Sequence, residues 1–311
     1  MKATNLRGEL MIVLLKCSGK FLKGNITTFV NSYKHRRINL RKLIVLSICL
    51  MCLCFGGTAS AGFDRTAQPA SLQGSAQASI FAEDSESILL NPSAVASLND
   101  YRLSVFYTPS PFALPQLSNY GLVAVYPGDP VNVALSATTI GFSLYREISA
   151  AATVGRSFEG VFSAGISVNV DHVAVARYGS ATALGIDIAA AAQLSDGVRW
   201  GFSLLNVNRP RIVGAADQVP ALYITGVTVR LMPTAEISFS LIKDILYPAS
   251  IRTGVDFCPI DILQLRVGIS TEPSRYCAGF GVRVSSVSFD YAVITHQELG
   301  LTHSLGVSLT F

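Results

Sequence analysis

Hydrophobic and polar residues alternate with a period of two over most of the chain beyond residue 100. The last stretch is the clearest. Leu305, Val307, Leu309 and Phe311 alternate with Ser304, Gly306, Ser308 and Thr310. The same rhythm sets Leu263, Leu265, Val267 and Ile269 against Gln264, Arg266, Gly268 and Ser270. Successive strand residues point to opposite faces, so each run predicts a strand with one apolar face. Fourteen strands are predicted: 101–108, 118–126, 131–140, 147–155, 161–171, 180–194, 197–205, 221–231, 234–243, 249–257, 260–270, 274–284, 286–296 and 301–311. Every second connection is tight: 127–130, 156–160, around 196, Met232-Pro233, Cys258-Pro259 and Ser285. The others include longer stretches at 109–117, 172–179 and 206–220. An even strand count with short turns on one side and longer loops on the other is the pattern of an outer-membrane barrel.

Composition strengthens this reading. The chain is 50% hydrophobic and 14% charged with mean hydropathy +0.43, against about 25% charged residues in soluble domains. That excludes a disordered chain. The apolar run Leu43–Phe55 is 13 residues long, short of the roughly 20 that a spanning helix needs. Beyond residue 61 a single lysine remains, Lys243. The polar faces of the strands carry Gly, Ser, Ala and Thr instead of the Lys and Glu that a water-facing sandwich would show. The expected fold is all-β: a transmembrane barrel of about 14 antiparallel strands with an N-terminal luminal plug.

The first 61 residues read as a leader. Lys34, Arg36, Arg37, Arg41 and Lys42 precede the apolar run, and Gly56-Gly57-Thr58-Ala59-Ser60-Ala61 follows it. Small residues at the −3 and −1 positions predict signal-peptide cleavage after Ala61 and export to the outer membrane of a Gram-negative cell. The leader holds 10 basic residues and one acidic, leaving 14 basic and 19 acidic in the rest. The basic pI therefore belongs to the leader, and no basic patch for nucleic acid remains.

Between leader and barrel, 62–100 is rich in Ala, Ser and Gln and lacks alternation. It contains Ser71-Leu72-Gln73-Gly74-Ser75-Ala76, then Ala82-Glu83-Asp84-Ser85, then Leu89-Leu90-Asn91-Pro92-Ser93-Ala94-Val95-Ala96. This order resembles the opening of PorV/PorQ-type and FadL-type (long-chain fatty acid transporter-like) outer-membrane proteins. Gly185-Ile186-Asp187, Leu205-Asn206, Phe289-Asp290-Tyr291-Ala292 and Glu298-Leu299-Gly300-Leu301-Thr302-His303 extend the likeness. Ser93 and Val95 depart from it. The resemblance implies a plug whose motif residues here are Gly74, Asp84, Asn91 and Pro92. Phe311 at the end resembles the terminal aromatic that barrel-assembly machinery reads.

Candidate chemistry is sparse. His172, His296 and His303 fall at or beside predicted outer loops. His303 and Ser304 are adjacent on a strand and point apart, so they form no catalytic pair. No Gly-x-Ser-x-Gly elbow and no zinc spacing occurs. The expectation is no catalytic residue, no metal and no cofactor. Cys258 and Cys277 sit at opposite ends of the strand pattern, about 30 Å apart along ten residues, too far for a disulfide. Asp187, Arg199, Arg230, Glu236, Arg252, Asp256, Arg266, Arg283 and Asp290 share the luminal parity. Five arginines against four acids predict paired interior charges that seat a plug more than an ion-selective pore. Ser270, on the same face, is expected to tolerate an arginine that lipid-facing Leu265 would not.

The function expected is passage of small hydrophobic molecules across the outer membrane. The alternatives are a PorV-like secretion shuttle that binds exported client proteins, and an outer-membrane lipid hydrolase. Partners on these readings are outer-membrane lipid, the barrel-assembly machinery, and a hydrophobic small molecule or a secreted client.

Overall fold

The computed structural model describes residues 68–80, 84–211, 219–244 and 247–311. The leader, the cut after Ala61 and Glu83 lie outside the described residues. The strands are β1 (Arg102–Thr108), β2 (Asn119–Tyr126), β3 (Asn132–Gly141), β4 (Tyr145–Phe158), β5 (Phe162–Val175), β6 (Gly179–Ser195) and β7 (Val198–Leu205). They continue as β8 (Leu222–Met232), β9 (Ala235–Asp244), β10 (Ser250–Ile260), β11 (Leu263–Thr271), β12 (Ser274–Val284), β13 (Val287–His296) and β14 (Gly300–Thr310). Each pairs antiparallel with its sequence neighbours, and β1 closes on β14 from Arg102↔Thr310 to Tyr107↔Leu305. Closure leaves no strand edge unpaired, the condition for a sheet to cross lipid. No helix among the described residues is long and apolar enough to cross a membrane.

The outward face is apolar and exposed, as with Leu265, Val267 and Ile269. Tyr101 meets Tyr126 edge to face at 5.0 Å and Phe158 meets Phe162 at 6.0 Å, all near the end that holds the strand termini. Tyr107 and Tyr120 meet at 6.5 Å at the opposite end. Two aromatic girdles around an apolar band are the exterior of a membrane barrel. The short turns and both barrel termini share one end, the end that is periplasmic in outer-membrane barrels. Phe311 sits there, its N–H donating to the Tyr101 carbonyl at 2.9 Å and its side chain exposed.

Two connections differ from the sequence reading. The predicted outer loop 172–179 is mostly strand: β5 runs to Val175, β6 starts at Gly179, and only 176–178 turn. β4, β5 and β6 span 14, 14 and 17 residues, whereas a crossing takes about 9–11. This part of the wall therefore extends past the bilayer, where polar side chains no longer mark a strand's end. His172 lies in β5, not in a loop, with Nδ1 2.9 Å from Thr182 Oγ1. Cys258 and Pro259 lie within β10, not in a turn. The register shifts between Phe257 and Ile260, a bulge that accepts a proline at a strand end.

Residues 68–80 and 84–100 lie against the inward wall. They form helix α1 (Ala70–Gly74) and 3-10 turns at Ser85–Leu89 and Pro92–Ser97. Asn91 is extended and fully buried, and its Oδ1 accepts from the Ser93 N–H at 3.1 Å and the Ser93 hydroxyl at 2.7 Å. Pro92 follows at the first helical position, where no N–H is required. Asn91 Nδ2 also donates to the Ile80 carbonyl at 3.3 Å, tying the two stretches together. Leu72, Ile80 and Leu90 pack on inward Leu205, Ile224 and Ile242. Ile88, Ala94, Val95 and Leu98 pack on Val123, Val125 and Ala134. The inward face is thus not uniformly small and polar; it turns apolar where the inner segment needs a partner.

Glycines of the wall make room for this backbone. A Cβ at Gly165 would lie 2.4 Å from the Pro92 carbonyl, and one at Gly268 2.4 Å from the Ser75 carbonyl carbon. Gly74, on the other side, lies so close that its own Cβ would be 3.2 Å from Arg266 Cβ and 3.3 Å from Gly279 Cα.

The face assignment makes a direct prediction. Leu265→Arg puts a cation into lipid at a cost of about 2–4 kcal/mol at mid-bilayer. It should lower the urea midpoint of the folded barrel well below that of Ser157→Arg, which adds the same charge at the exposed periplasmic rim. Ser270 is no longer the suitable comparison: it is buried between Arg252 and Arg275, so an arginine there adds repulsion.

Candidate functional site

The luminal charges form distinct groups. Arg266 is buried between β10 and β12 and gathers three carboxylates: Asp290 at 2.5 Å, Asp256 at 3.4 Å and Asp84 of the inner segment at 3.8 Å. Its Nη2 also donates to Gln264 Oε1 at 2.7 Å. Nearer the periplasmic end, Glu236 pairs with Arg199 at 2.7 Å and Arg230 at 2.9 Å. Asp187 accepts the Asn206 N–H at 2.7 Å. Arg283 shares the inward parity but stands exposed at the rim. Arg252 reaches Gln77 of the inner segment and Ser250. The near balance of the whole set therefore conceals local imbalance: acid excess around Arg266, and cation excess around Arg252, where Arg275 joins it.

The sequence reading places Glu83, Asp84 and Glu86 within reach of the interior arginines, and Asp84 does pair with Arg266; it misses Arg275 and the enclosure of Glu86. Glu86 sits where no periodicity assigns a face. Arg275 follows a turn, although the parity of Gly279, Gly281 and Arg283 points it inward. Glu86 is fully enclosed; its Oε2 bonds to the Ser71 hydroxyl and its Oε1 has no hydrogen-bond partner. Burial pushes its carboxyl from the usual 4.5 up to about 8. The Ser71 hydroxyl opposes the rise, Asp290 and Asp84 add to it, and Arg266 opposes it.

The folded protein thus holds a proton on Glu86 at pH values where the unfolded chain has lost it. The contribution of Glu86 to seating the inner segment is therefore fully present below about 4.5 and is lost as pH rises through about 8. Amide exchange across 84–98, corrected for intrinsic rates, should be faster at pH 9 than at pH 6. Glu86→Gln should flatten that difference; an identical pH response in the variant would remove Glu86 from the explanation.

Two cavities flank the inner segment. The outer one, of about 380 Å³, lies between the inner segment and the outer loops. Leu90, Phe112, Leu117, Ile242 and Ile294 form its apolar part. Phe112 is carried in by the loop after β1, which folds into 3-10 turns at Pro111–Ala113 and Pro115–Leu117. Its N–H donates to Thr302 Oγ1 at 3.0 Å and its ring meets His296 edge to face at 5.3 Å. The smaller cavity, of about 150 Å³, lies toward the periplasm between Asn91, Ser97, Ser163 and Arg199. Asn91 and Pro92 stand between the two.

The histidines are occupied elsewhere. His303 Nδ1 lies 2.7 Å from the Tyr291 hydroxyl on the outward face, and His296 Nδ1 accepts the Glu298 and Leu299 N–H groups of the last turn. Cys258 and Cys277 are free thiols. Among the described residues, no group of three or more His, Cys, Asp or Glu is arranged for a metal.

No protein-family model and none of the curated proteins matches the sequence. Solved structures do. A Pseudomonas aeruginosa FadL homologue superposes with a TM-score of 0.57 at 13% identity, covering 81% of this chain and 99% of that one. The CymD monoaromatic hydrocarbon channel gives 0.59 at 12%, covering 80% and 99%. The Pseudomonas putida toluene transporter TodX gives 0.51 at 11%, covering 83% and 96%. The fold is therefore that of the FadL-like barrels.

Proposed function

We propose that this chain is an outer-membrane channel for small hydrophobic molecules, with residues 62–100 as its plug and no catalytic role. The observation that carries this reading is the outer cavity: a chamber with an apolar part at Leu90, Phe112, Leu117, Ile242 and Ile294 and a polar remainder, floored by the inner segment, with a second cavity on the periplasmic side of the same segment. A molecule shed from water into the first chamber needs only a shift of the Asn91-Pro92 region to reach the second. Similarity of fold to a monoaromatic hydrocarbon channel and a toluene transporter supports the same reading.

The test uses cells whose lipopolysaccharide layer excludes hydrophobic probes. Expression of the full chain should speed entry of 1-N-phenylnaphthylamine several-fold, read as its fluorescence rise. Folded, outer-membrane-located protein with no faster entry would overturn the channel. Copurification of secreted proteins with it would then favour the shuttle.

A further inference from the structure

The lipid-facing wall carries a further hollow, of about 750 Å³, where β14, β1, β2, β3 and β4 lie side by side. Tyr120 and Leu122 of β2 and Ile148 of β4 form its sides, all three exposed. Between them β3 offers only Ala137 and Thr139, opposite Leu122 and Tyr120 in register. Small residues between large ones leave a trough. Its floor is closed. The β2–β3 and β3–β4 ladders run beneath it without a break in register. On the luminal side the buried Phe106 ring covers Gly121, where an added Cβ would lie 2.4 Å from Phe106 Cζ. The hollow is thus a seat on the wall and no passage through it. It also climbs. Val105, at its lower end, lies four residues beyond Tyr101 of the periplasmic girdle, whereas Arg146 lies twelve residues from Phe158 of the same girdle. At about 3.3 Å per residue and a tilt of about 40°, those are heights of about 10 Å and about 30 Å. Arg146 therefore stands just above an apolar band of about 25 Å, at the outer interface.

Charge divides by face at this end of β4 and β5. Glu147 and Asp171 have the luminal parity, and Asp171 accepts from Ser149 Oγ at 2.6 Å. Arg146 and His172 have the outward parity. Arg146 is exposed, stands opposite Gly141 and Ala174 on its two neighbouring strands, and forms no ion pair among the described residues. His172, opposite Ile148, is its diagonal neighbour at about 7–8 Å. A guanidinium without an acid, at headgroup height above an apolar trough, complements a phosphate carried on acyl chains. We propose that the hollow seats a phosphorylated, multiply acylated glycolipid of the outer leaflet, of the lipid A type. Its phosphate lies on Arg146, and one acyl chain runs down the trough over Thr139 and Ala137 toward Val105. A second copy of the chain is the poorer occupant: related by a two-fold axis along the membrane normal, it would bring a second unanswered Arg146 to the same height. This seat is independent of whatever the lumen passes.

The test is native mass spectrometry of the full chain in detergent, titrated with bisphosphorylated lipid A or, at equal concentration, with zwitterionic phosphatidylethanolamine. The protein should retain about tenfold more lipid A, the worth of one charge-assisted contact. Arg146→Gln should bring retention down to the phosphatidylethanolamine level, and Arg146→Lys should keep most of it. Ala137→Phe fills the trough with a residue that lipid accepts and leaves Arg146 in place; it too should lower lipid A retention severalfold. Arg156→Gln removes the other outward arginine of β4, which lies over Phe158 at 5.5 Å on the periplasmic side, and should change nothing. Heat-modifiable migration on gels confirms that each variant is folded. Equal retention of the two lipids, or a lipid A preference that survives either Arg146→Gln or Ala137→Phe, would overturn the proposal. So would an equal loss on Arg156→Gln, which would mark the preference as general attraction between charges. A dimer that Ala137→Phe abolishes, formed without lipid, would give this face to a second copy instead.

Discussion

Arg266→Met is expected to be the most damaging single substitution in the barrel wall. Arg266 is 4% exposed and is the cation shared by Asp256, Asp290 and Asp84. Methionine fills much of the same space but leaves three carboxylates facing one another with no counter-charge. Removing one partner of a buried ion pair costs about 3–5 kcal/mol, because the other charge stays buried and unanswered. Two consequences follow from the connectivity. The wall loses its link across β10, β11 and β13, so the urea midpoint of the folded barrel in detergent should fall sharply. The inner segment loses its ionic tie through Asp84, so residues 84–98 should exchange amide protons faster than in the parent protein. Adding Asp256→Asn and Asp290→Asn to Arg266→Met should recover part of the midpoint, since the repulsion goes with the charges. A variant whose midpoint matches the parent would show that this network contributes nothing to stability.

Much of the wall was legible because lipid imposes a strict alternation on every strand that crosses it. Strand existence followed from parity, and most predicted ends fall within three residues of the observed ones. The errors arose where lipid stops dictating sequence. Beyond the bilayer, β5 and β6 continue with Asp171, His172 and Tyr178 close by, and polarity there no longer distinguishes strand from loop. At Pro259 a residue that usually ends a strand instead occupies a bulge. Parity also named the inward charges, but it does not say which ones meet. The meeting of Arg266 with Asp290 depends on register across two hairpins, and that of Arg266 with Asp84 on a segment with no periodicity at all. Arg252 and Arg275 come together only through Ser270 on the strand between them, so neither residue's own strand reveals the pair.

Filling the glycine contacts should unseat the plug without breaking the barrel. Gly165 on β5 and Gly268 on β11 lie on different parts of the wall and touch different parts of the inner segment, Pro92–Ser93 and Ser75–Ala76. At each, an added Cβ would come within about 2.4–2.6 Å of backbone atoms, which have no rotamer to move away. Both glycines sit in regular strand pairing, opposite Ala189 and Gly254 respectively, where valine is a favoured strand residue. The strain therefore falls on the inner segment. Overpacking of this kind costs about 1–3 kcal/mol per site, and two separated sites should add. Gly165→Val combined with Gly268→Val should leave a closed, heat-modifiable barrel whose single-channel conductance in planar bilayers is well above that of the parent. Protease should then cut within 68–98, which the parent protects. Ala152→Val adds comparable bulk to the outward face of β4 and should change neither reading. Deleting 68–98 sets the upper limit of conductance, and the double valine variant should approach it. If the double variant conducts like the parent while the deletion conducts more, the inner segment plugs the barrel through contacts other than these glycines. If the deletion also conducts like the parent, the segment is no plug, and the wall itself closes the passage.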